Sequence, residues 1–598
     1  MFCEGVTCSQ CMGLGGGFLL TMYLKEKDQV FTLDSREVAP LAAHKDICYL
    51  PGGLATAVPG ELKGYELLYQ EYGTLPWADL VQPAIDLCKA GYTVTDYFAR
   101  VLSQYTDRIK NEPTLSDFIN PETNTVWLEG DKVQRLKLAK TLEVVAREGI
   151  NAVYNGSLTQ GFLADIKAHG GIITAQDLLN YKLVPLHIHF FRRYKCKPVG
   201  VLFIQRNSPI SCLDFDTPVQ IFIMFIRVLA MDASAHQLRD RLDWERLVET
   251  PYGEREGGGG GVGTREGKGT RERKGRRKGN RTNGKGHAAI SSKQCFSFHS
   301  RPKWRDPIAV ELGGNMTLHT VPLPGTGHVL AFIINALRDW VISPEANGLV
   351  ENSVPYWQRI VEVFKYAYAK RTGLGDPDTI VADFLLANLT SPDFAKYIQG
   401  FISDTQTSNN WTDYGAQFDL VEDHGTAHIS IMAPNGDAIA VTSTVNYILG
   451  AFYASNSTGI ILNNEMDDFS YPNISNVYNL PPSPANFPKP GKRPLSSMVP
   501  SIVVTKGVGA RMIVGAAGGT KITTQVVVLK HLLRDVPLKE AINTPRLHHQ
   551  LIPMRIEHEA GFDEVNVYGF YITRVDQELH PFKFKKTGKI YVYKKMTF

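Results

Sequence analysis

Nowhere in its 598 residues does the chain carry an apolar run of about 18 residues or more, the length a membrane-crossing helix needs. The opening MFCEGVTCSQC lacks the basic start and the apolar stretch of a signal peptide, so neither an anchor nor a signal segment is expected in this chain. Charge of one sign is not in excess either. Against 60 Asp and Glu stand 64 Lys and Arg, and a formal net charge of +4 makes no case for nucleic acid as a partner of the whole chain. Cysteine is scarce: Cys3, Cys8, Cys11, Cys48, Cys88, Cys196, Cys212 and Cys295 all lie in the first half. Cys8 and Cys11 form a lone C-x-x-C, a redox or zinc half-motif. No second pair sits at metal spacing and no βαβ pattern follows, so buried free thiols are expected there and no metal site.

What is present suits a large globular enzyme. The chain is 43% hydrophobic and 10% aromatic, enough for a sizeable core. Asn-x-Ser/Thr sequons at Asn155, Asn280, Asn315, Asn388, Asn410, Asn456 and Asn473 point towards an exported glycoprotein. TMYLKEKDQVFTLDSREVAP reads as a hairpin. Helical periodicity follows in GELKGYELLYQEYG, WADLVQPAIDLCKAG and DKVQRLKLAKTLEVVAREG, the last capped by Asp131 and ended by Gly149. It resumes in TGHVLAFIINALRDW and VPYWQRIVEVFKYAYAKRTGLGD. From Thr426 the pattern turns to period-2 strands, then to a helix over about Lys521 to Leu533. Helices, then strands, then helix suit a layered α/β sandwich.

Between about residues 182 and 307 the character changes. Residues 253–286 hold almost nothing apolar and cannot order themselves by burial. A functional stretch of this kind would be a basic nucleic-acid tail. Gly, Arg, Glu and Lys all have all-purine codons, so a translated purine-rich repeat gives the same composition. The stretch reads as a retained intron or repeat, and no nucleic acid is expected as a partner.

The informative segment is GTAHISIMAPNGDAIAVTSTVN, residues 425–446. Pro434-Asn435-Gly436 predicts a three-residue hairpin loop with glycine in the left-handed position. Counting outward pairs Ala433 with Asp437, His428 with Thr442 and Thr426 with Thr444. Alternation puts Ile429, Ile431, Ile439 and Val441 on one face, expected to be buried, and Thr426, His428, Ser430, Thr442 and Thr444 on the other. Opposed threonines also occur in ordinary half-exposed sheets. Gly425 favours the chemical reading, since glycine tolerates the strained peptide of an internal acyl shift. Attack by the Thr426 hydroxyl on the Gly425 carbonyl would split the chain. It would also free an α-amine, with a reference pKa of about 7.7–8.0, to serve as base.

The stretches GTAHIS, TSTVN, NNEMDDFS (463–470), KRPLSSMVPSIV (492–503) and VGAAGGTKITT (514–524) resemble the γ-glutamyltransferase (glutathione hydrolase) family. So do MGLGGGFLLTMY, DSREVAP, AVPGELKGYELL and FKYAYAKRTGLGDP. The resemblance runs from about Gly5 to Tyr181 and from about Asp306 to Pro553. It implies an α/β (α+β) fold, a four-layer αββα sandwich of the N-terminal-nucleophile hydrolase type. Cleavage would give a large-subunit portion of residues 1–425, interrupted by the insert, and a small catalytic subunit of residues 426–598, held as a heterodimer. By the same resemblance Thr426 is the nucleophile, with Gly425 and Thr426 the cleavage site, and Thr444 orients its hydroxyl. Arg36 clamps the α-carboxylate of the γ-glutamyl group, and Ser496 and Ser497 add donors to it. Asn446, Glu465 and Asp468 hold the α-ammonium. Gly518 and Gly519, before a helix, supply N–H groups for the oxyanion.

Glutathione and its conjugates would be the substrates, with water, amino acids or dipeptides as acceptors. No cofactor is implied, because nucleophile and base are both on Thr426. Family members normally begin with a cytoplasmic segment, a membrane anchor and an opening strand and helix, elements expected to be missing here; they face the cell exterior at the plasma membrane. Tyr447-Ile448-Leu449-Gly450 departs from the aromatic pattern common in the family. A catalytically dead or misassembled paralogue and another N-terminal-nucleophile amidase, such as a β-lactam acylase, remain alternative readings.

Overall fold

The computed structural model describes residues 1–45, 52–181, 302–343, 349–420, 425–472 and 480–562. The chain divides into two units, Met1–Arg193 with Phe296–Phe598 and, separately, Tyr194–Cys295. The second unit lies wholly outside the described residues, as do Cys48, Asn473 and the basic ending.

Two antiparallel sheets form the centre of the first unit. In the five-stranded sheet, β1 (Gly17–Leu24) and β2 (Gln29–Ser35) make the predicted hairpin, and β3 (Lys303–Arg305) pairs with β2 at one edge. Strand β7 (Ala438–Thr444) pairs with β1, and β6 (Ala427–Met432) closes the other edge. The four-stranded sheet holds β4 (Ile308–Gly313), β5 (Met316–Thr320), β8 (Ser501–Thr505) and β9 (Gly509–Val514), in the order β9-β8-β5-β4.

The sequence of β1 explains the layering. Its run GFLLTMYL is apolar at nearly every position, and both faces are buried. Phe18, Leu20 and Met22 join the core beneath helices α1 (Glu61–Tyr72), α2 (Trp77–Ala90) and α3 (Leu136–Glu148). Leu19 packs with Val321 and Met498, and Tyr23 with Ile502 and Val504 of β8, on the face turned to the second sheet. Beyond that sheet, α4 (Gly327–Leu337), α5 (Val354–Arg371) and α6 (Thr524–Arg534) cover a second core. Helix α4 is apolar almost all round, as a helix inside a layer must be. The architecture is the expected αββα sandwich.

Three expectations need correction. Asp131 does not cap α3. Lys132–Val133 pair with Tyr92–Thr93 as short strands, so the helix starts later, with Arg135 at its N-cap, while Asp131 accepts from Leu128 N–H at 2.8 Å. Gly149 ends it as read. The insert also stops before residue 307. Lys303–Arg305 already form β3, Trp304 is buried against the first core, and Arg305 reaches Asp34 at 2.9 Å. Third, of the face expected to be buried only Val441 is; Ile429 and Ile439 are half-buried and Ile431 is 48% exposed. Strand β6 is an edge, and its distal end outruns the helical cover.

Candidate active site

The hairpin of β6 and β7 has the register read from its turn. Asp437 O accepts from Ala433 N–H at 2.8 Å, Gly436 has φ +91°, and His428 stands opposite Thr442. The hydroxyl-bearing face lies between the two sheets, where Ala438 and Ala440 pack against β8. His428 is held there between Thr442 Oγ1 at 2.9 Å and Ser430 Oγ at 3.0 Å. Burial pushes its imidazole down to about 4, so it is neutral at physiological pH.

Around the Gly425–Thr426 peptide three groups converge. The Thr426 hydroxyl donates to Thr444 Oγ1 at 3.1 Å, and Thr444 Oγ1 also accepts from Asn446 N–H at 2.8 Å. The Gly425 carbonyl accepts from Gly518 N–H at 2.9 Å. Both residues on the bond have positive φ, +92° at Gly425 and +89° at Thr426. For a β-branched residue that conformation costs about 1–3 kcal/mol. A Cβ on residue 425 would stand 2.2 Å from Asn446 O, so only glycine fits. A hydroxyl, a carbonyl and an N–H donor therefore meet at one strained bond. Gly518 and Gly519, with φ of +117° and +75°, lie in a bend ahead of α6, which begins only at Thr524; the donor faces the carbonyl through the bend and not from the helix end.

Asn446 links this bond to a buried charge cluster. Its Nδ2 donates to Asn464 O at 3.1 Å, and Asn464 Oδ1 accepts from Tyr447 N–H at 2.8 Å. Asn446 Oδ1 is buried, with no donor to it among the described residues. Next to Asn464, Glu465 and Asp468 grip Arg36 Nη2 at 2.8 and 2.5 Å, all three at most 3% exposed. The structure thus brings Arg36, Glu465 and Asp468 together as an ion-paired group. Asn486 Nδ2 donates to Asp468 O at 2.7 Å, and its Oδ1 accepts from Leu495 N–H, which leads into the paired serines. Ser496 Oγ accepts from Met498 N–H at 3.1 Å, and Ser497 Oγ accepts from Arg371 Nη2 at 2.8 Å.

Sequence reasoning missed Arg371, Asn463 and Asn464. Arg371 lines a narrow cavity with Asp468, Asn486 and Leu495. Asn463 pins the acidic loop, donating to Gly15 O and Ala57 O and accepting from Ala57 and Glu465 N–H groups. Only the adjacency of two asparagines to Glu465 could have flagged the pair. Arg371 ends a helix whose sequence looks like an ordinary basic C-terminus. Among the described cysteines, Cys3, Cys8, Cys11 and Cys88 are free, and Cys11 and Cys88 are buried.

The model of the gamma-glutamyltranspeptidase family matches residues 1–197 and 294–570, leaving out the segment that holds the glycine- and arginine-rich stretch. Scoloptoxin SSD14 of Scolopendra dehaani is 34% identical over 571 residues, covering 94% of this chain and 78% of its own. Glutathione hydrolase 2 of Arabidopsis thaliana is 29% identical over 569 residues, covering 93% and 76%. The crystal structure of cephalosporin acylase from Bacillus halodurans has a TM-score of 0.62 at 15% identity, covering 96% of this chain and 82% of that one, a likeness of fold alone. On the family match and these identities, the chain belongs to the gamma-glutamyltranspeptidase family.

Proposed function

We propose that the protein is a γ-glutamyl hydrolase and transferase that matures by cutting itself before Thr426 and then uses that residue as its nucleophile. The observation that carries this reading is the convergence of the Thr426 hydroxyl and the Gly518 N–H on the Gly425 peptide. In maturation Thr426 Oγ1 attacks the Gly425 carbonyl carbon, and the developing oxyanion is stabilised by the Gly518 and Gly519 N–H groups. The amide becomes an ester, water hydrolyses it, and residues 1–425 and 426–598 remain together as a heterodimer. The freed α-amine of Thr426 is then the general base.

Turnover repeats the attack on a γ-glutamyl amide of glutathione or a conjugate, giving a γ-glutamyl-threonine ester. Water, an amino acid or a dipeptide then takes the γ-glutamyl group. A zwitterionic amino-acid head suits the charge cluster, because it can exchange ion pairs with it. Its carboxylate takes Arg36, with Ser496 and Ser497 beside it. Its ammonium takes the released Glu465 and Asp468, and Asn446 Oδ1 offers a further acceptor. We also assign the protein to the outer face of the plasma membrane. Exposed sequon asparagines at 155, 315, 410 and 456 support that location, and glycosidase treatment of the native protein should lower its mass.

The test of maturation is intact mass with N-terminal sequencing, run beside Thr426→Ala. Two fragments are expected, the smaller beginning Thr-Ala-His-Ile, while the variant stays whole. A folded wild-type chain that remains uncut overturns the reading.

A further inference from the structure

Behind the nucleophile strand lies a pair of thiols that neither maturation nor turnover uses. Cys8 and Cys11 stand on a tight turn, where Cys11 N–H donates to Cys8 O at 2.9 Å and Met12 N–H to the same carbonyl at 3.2 Å. Such an i to i+3 bond holds the two Cα atoms within about 7 Å, a separation that matches the span of a disulfide. Gln10 Nε2 donates to Cys8 Sγ at 3.4 Å, and Cys11 Sγ lies 3.9 Å from Tyr97 Oη. The two thiols influence each other's titration, Cys8 being pushed up and Cys11 down.

The turn also supports the reaction centre. Cys11 and Met12 pack on Ala427, the residue after Thr426, with Cys8, Tyr97 and Ile429 around them. Cys11 O accepts from Val445 N–H at 3.1 Å, next to Thr444, and Gln10 O accepts from Leu449 N–H at 2.8 Å. One short segment therefore backs both strand ends that carry Thr426 and Thr444.

We propose that Cys8 and Cys11 are a dithiol–disulfide couple that exchanges with small-molecule disulfides and sets the rate of the threonine chemistry, an inference that rests on the function proposed above. The half-buried Cys8 thiol gives up its proton and attacks one sulfur of a disulfide RSSR, releasing RS⁻, which takes up that proton. The second cysteine, on losing its proton, displaces the other RS⁻ from the mixed disulfide. The pair loses two electrons and two protons, and RSSR becomes two RSH. Closing the ring takes the Cys11 sulfur away from Tyr97 and Ala427 and moves the carbonyl that holds Val445, so the disulfide form is the slower one. Cys8, only half-buried, is the point of access.

The whole protein, in a Cys3→Ser background, is equilibrated with mixtures of cysteamine and cystamine, which carry no γ-glutamyl group. It is then alkylated and mapped by mass spectrometry, while γ-glutamyl transfer is assayed in parallel. In oxidising mixtures the peptide with Cys8 and Cys11 should lose two hydrogens and escape alkylation. The rate should fall about tenfold, equivalent to about one hydrogen bond of positioning, and return on reduction. Cys8→Ser should keep the reduced-state rate in every mixture. A pair that stays alkylatable throughout, or one that oxidises without a change of rate, overturns the proposal. A disulfide that forms in a protein with no turnover in either state overturns the proposed function and leaves the couple standing.

Discussion

Thr444 is placed to act on its partner without reacting itself. Its oxygen accepts from the Thr426 hydroxyl on one side and from the Asn446 N–H on the other, which fixes the direction in which the Thr426 lone pairs point. Thr444→Val keeps the shape and removes the acceptor. The expected loss is about 1–3 kcal/mol, roughly a ten- to hundredfold slowing of both precursor cleavage and turnover. The half-time of the uncut band and kcat should move together; a change in one alone would argue against a shared role. Burial pushes Glu37 up to about 8 from an ordinary 4.5; Arg36 Nη1 stands 3.7 Å from its Oε2, and its carboxyl oxygens accept no hydrogen bond among the described residues. Its folded pKa lies above its unfolded one, so its contribution to stability is full below about pH 4.5 and is lost as pH rises through about 8. Glu37→Gln holds no proton to lose. Across that window the melting temperature of the wild type should fall relative to the variant, and parallel melting curves would refute the assignment. The Thr426–Thr444 pair was legible from the sequence, because a Pro-Asn-Gly loop sets a register that can be counted. The partner of Gly518 was not, since a backbone N–H reaching a distant carbonyl leaves no trace in side-chain identity.

The elements were legible where their pattern is local. Helices α1 to α5 follow from apolar spacing, and the β1–β2 hairpin from its turn residues. The pattern failed where a neighbour decides. Two residues paired as a strand delayed α3 past Asp131, and an edge position left Ile431 in solvent. Strand β3 is the clearest case, since three residues carry too little periodicity to be seen. Its worth lies in Trp304, which is 8% exposed, donates to Glu71 Oε1 at 3.1 Å and meets Phe31 and Tyr72 edge-on. Trp304→Ala should cost about 3–5 kcal/mol, read as a lower urea midpoint at unchanged slope. A loss below about 1 kcal/mol would mean that β3 contributes little to the sheet.

At the scale of the molecule, the two sheets bring distant parts of the chain to one place. Arg36 leaves the end of β2, Thr426 opens β6, and the paired serines precede β8. The family match breaks at the glycine- and arginine-rich segment and resumes beyond it. Removing residues 253–286 should therefore leave both the fragment pattern and the transfer rate unchanged. A deletion that abolished cleavage would give that stretch a role. Gly518 holds the Gly425 carbonyl in the uncut chain, the same N–H that is proposed to hold the substrate's oxygen later. Under the proposed function the precursor is its own first substrate, lodged at unit stoichiometry. On that reading maturation is first-order and independent of protein concentration, and the uncut peptide occupies the donor that glutathione would need. Latency and competence are consecutive occupancies of one N–H.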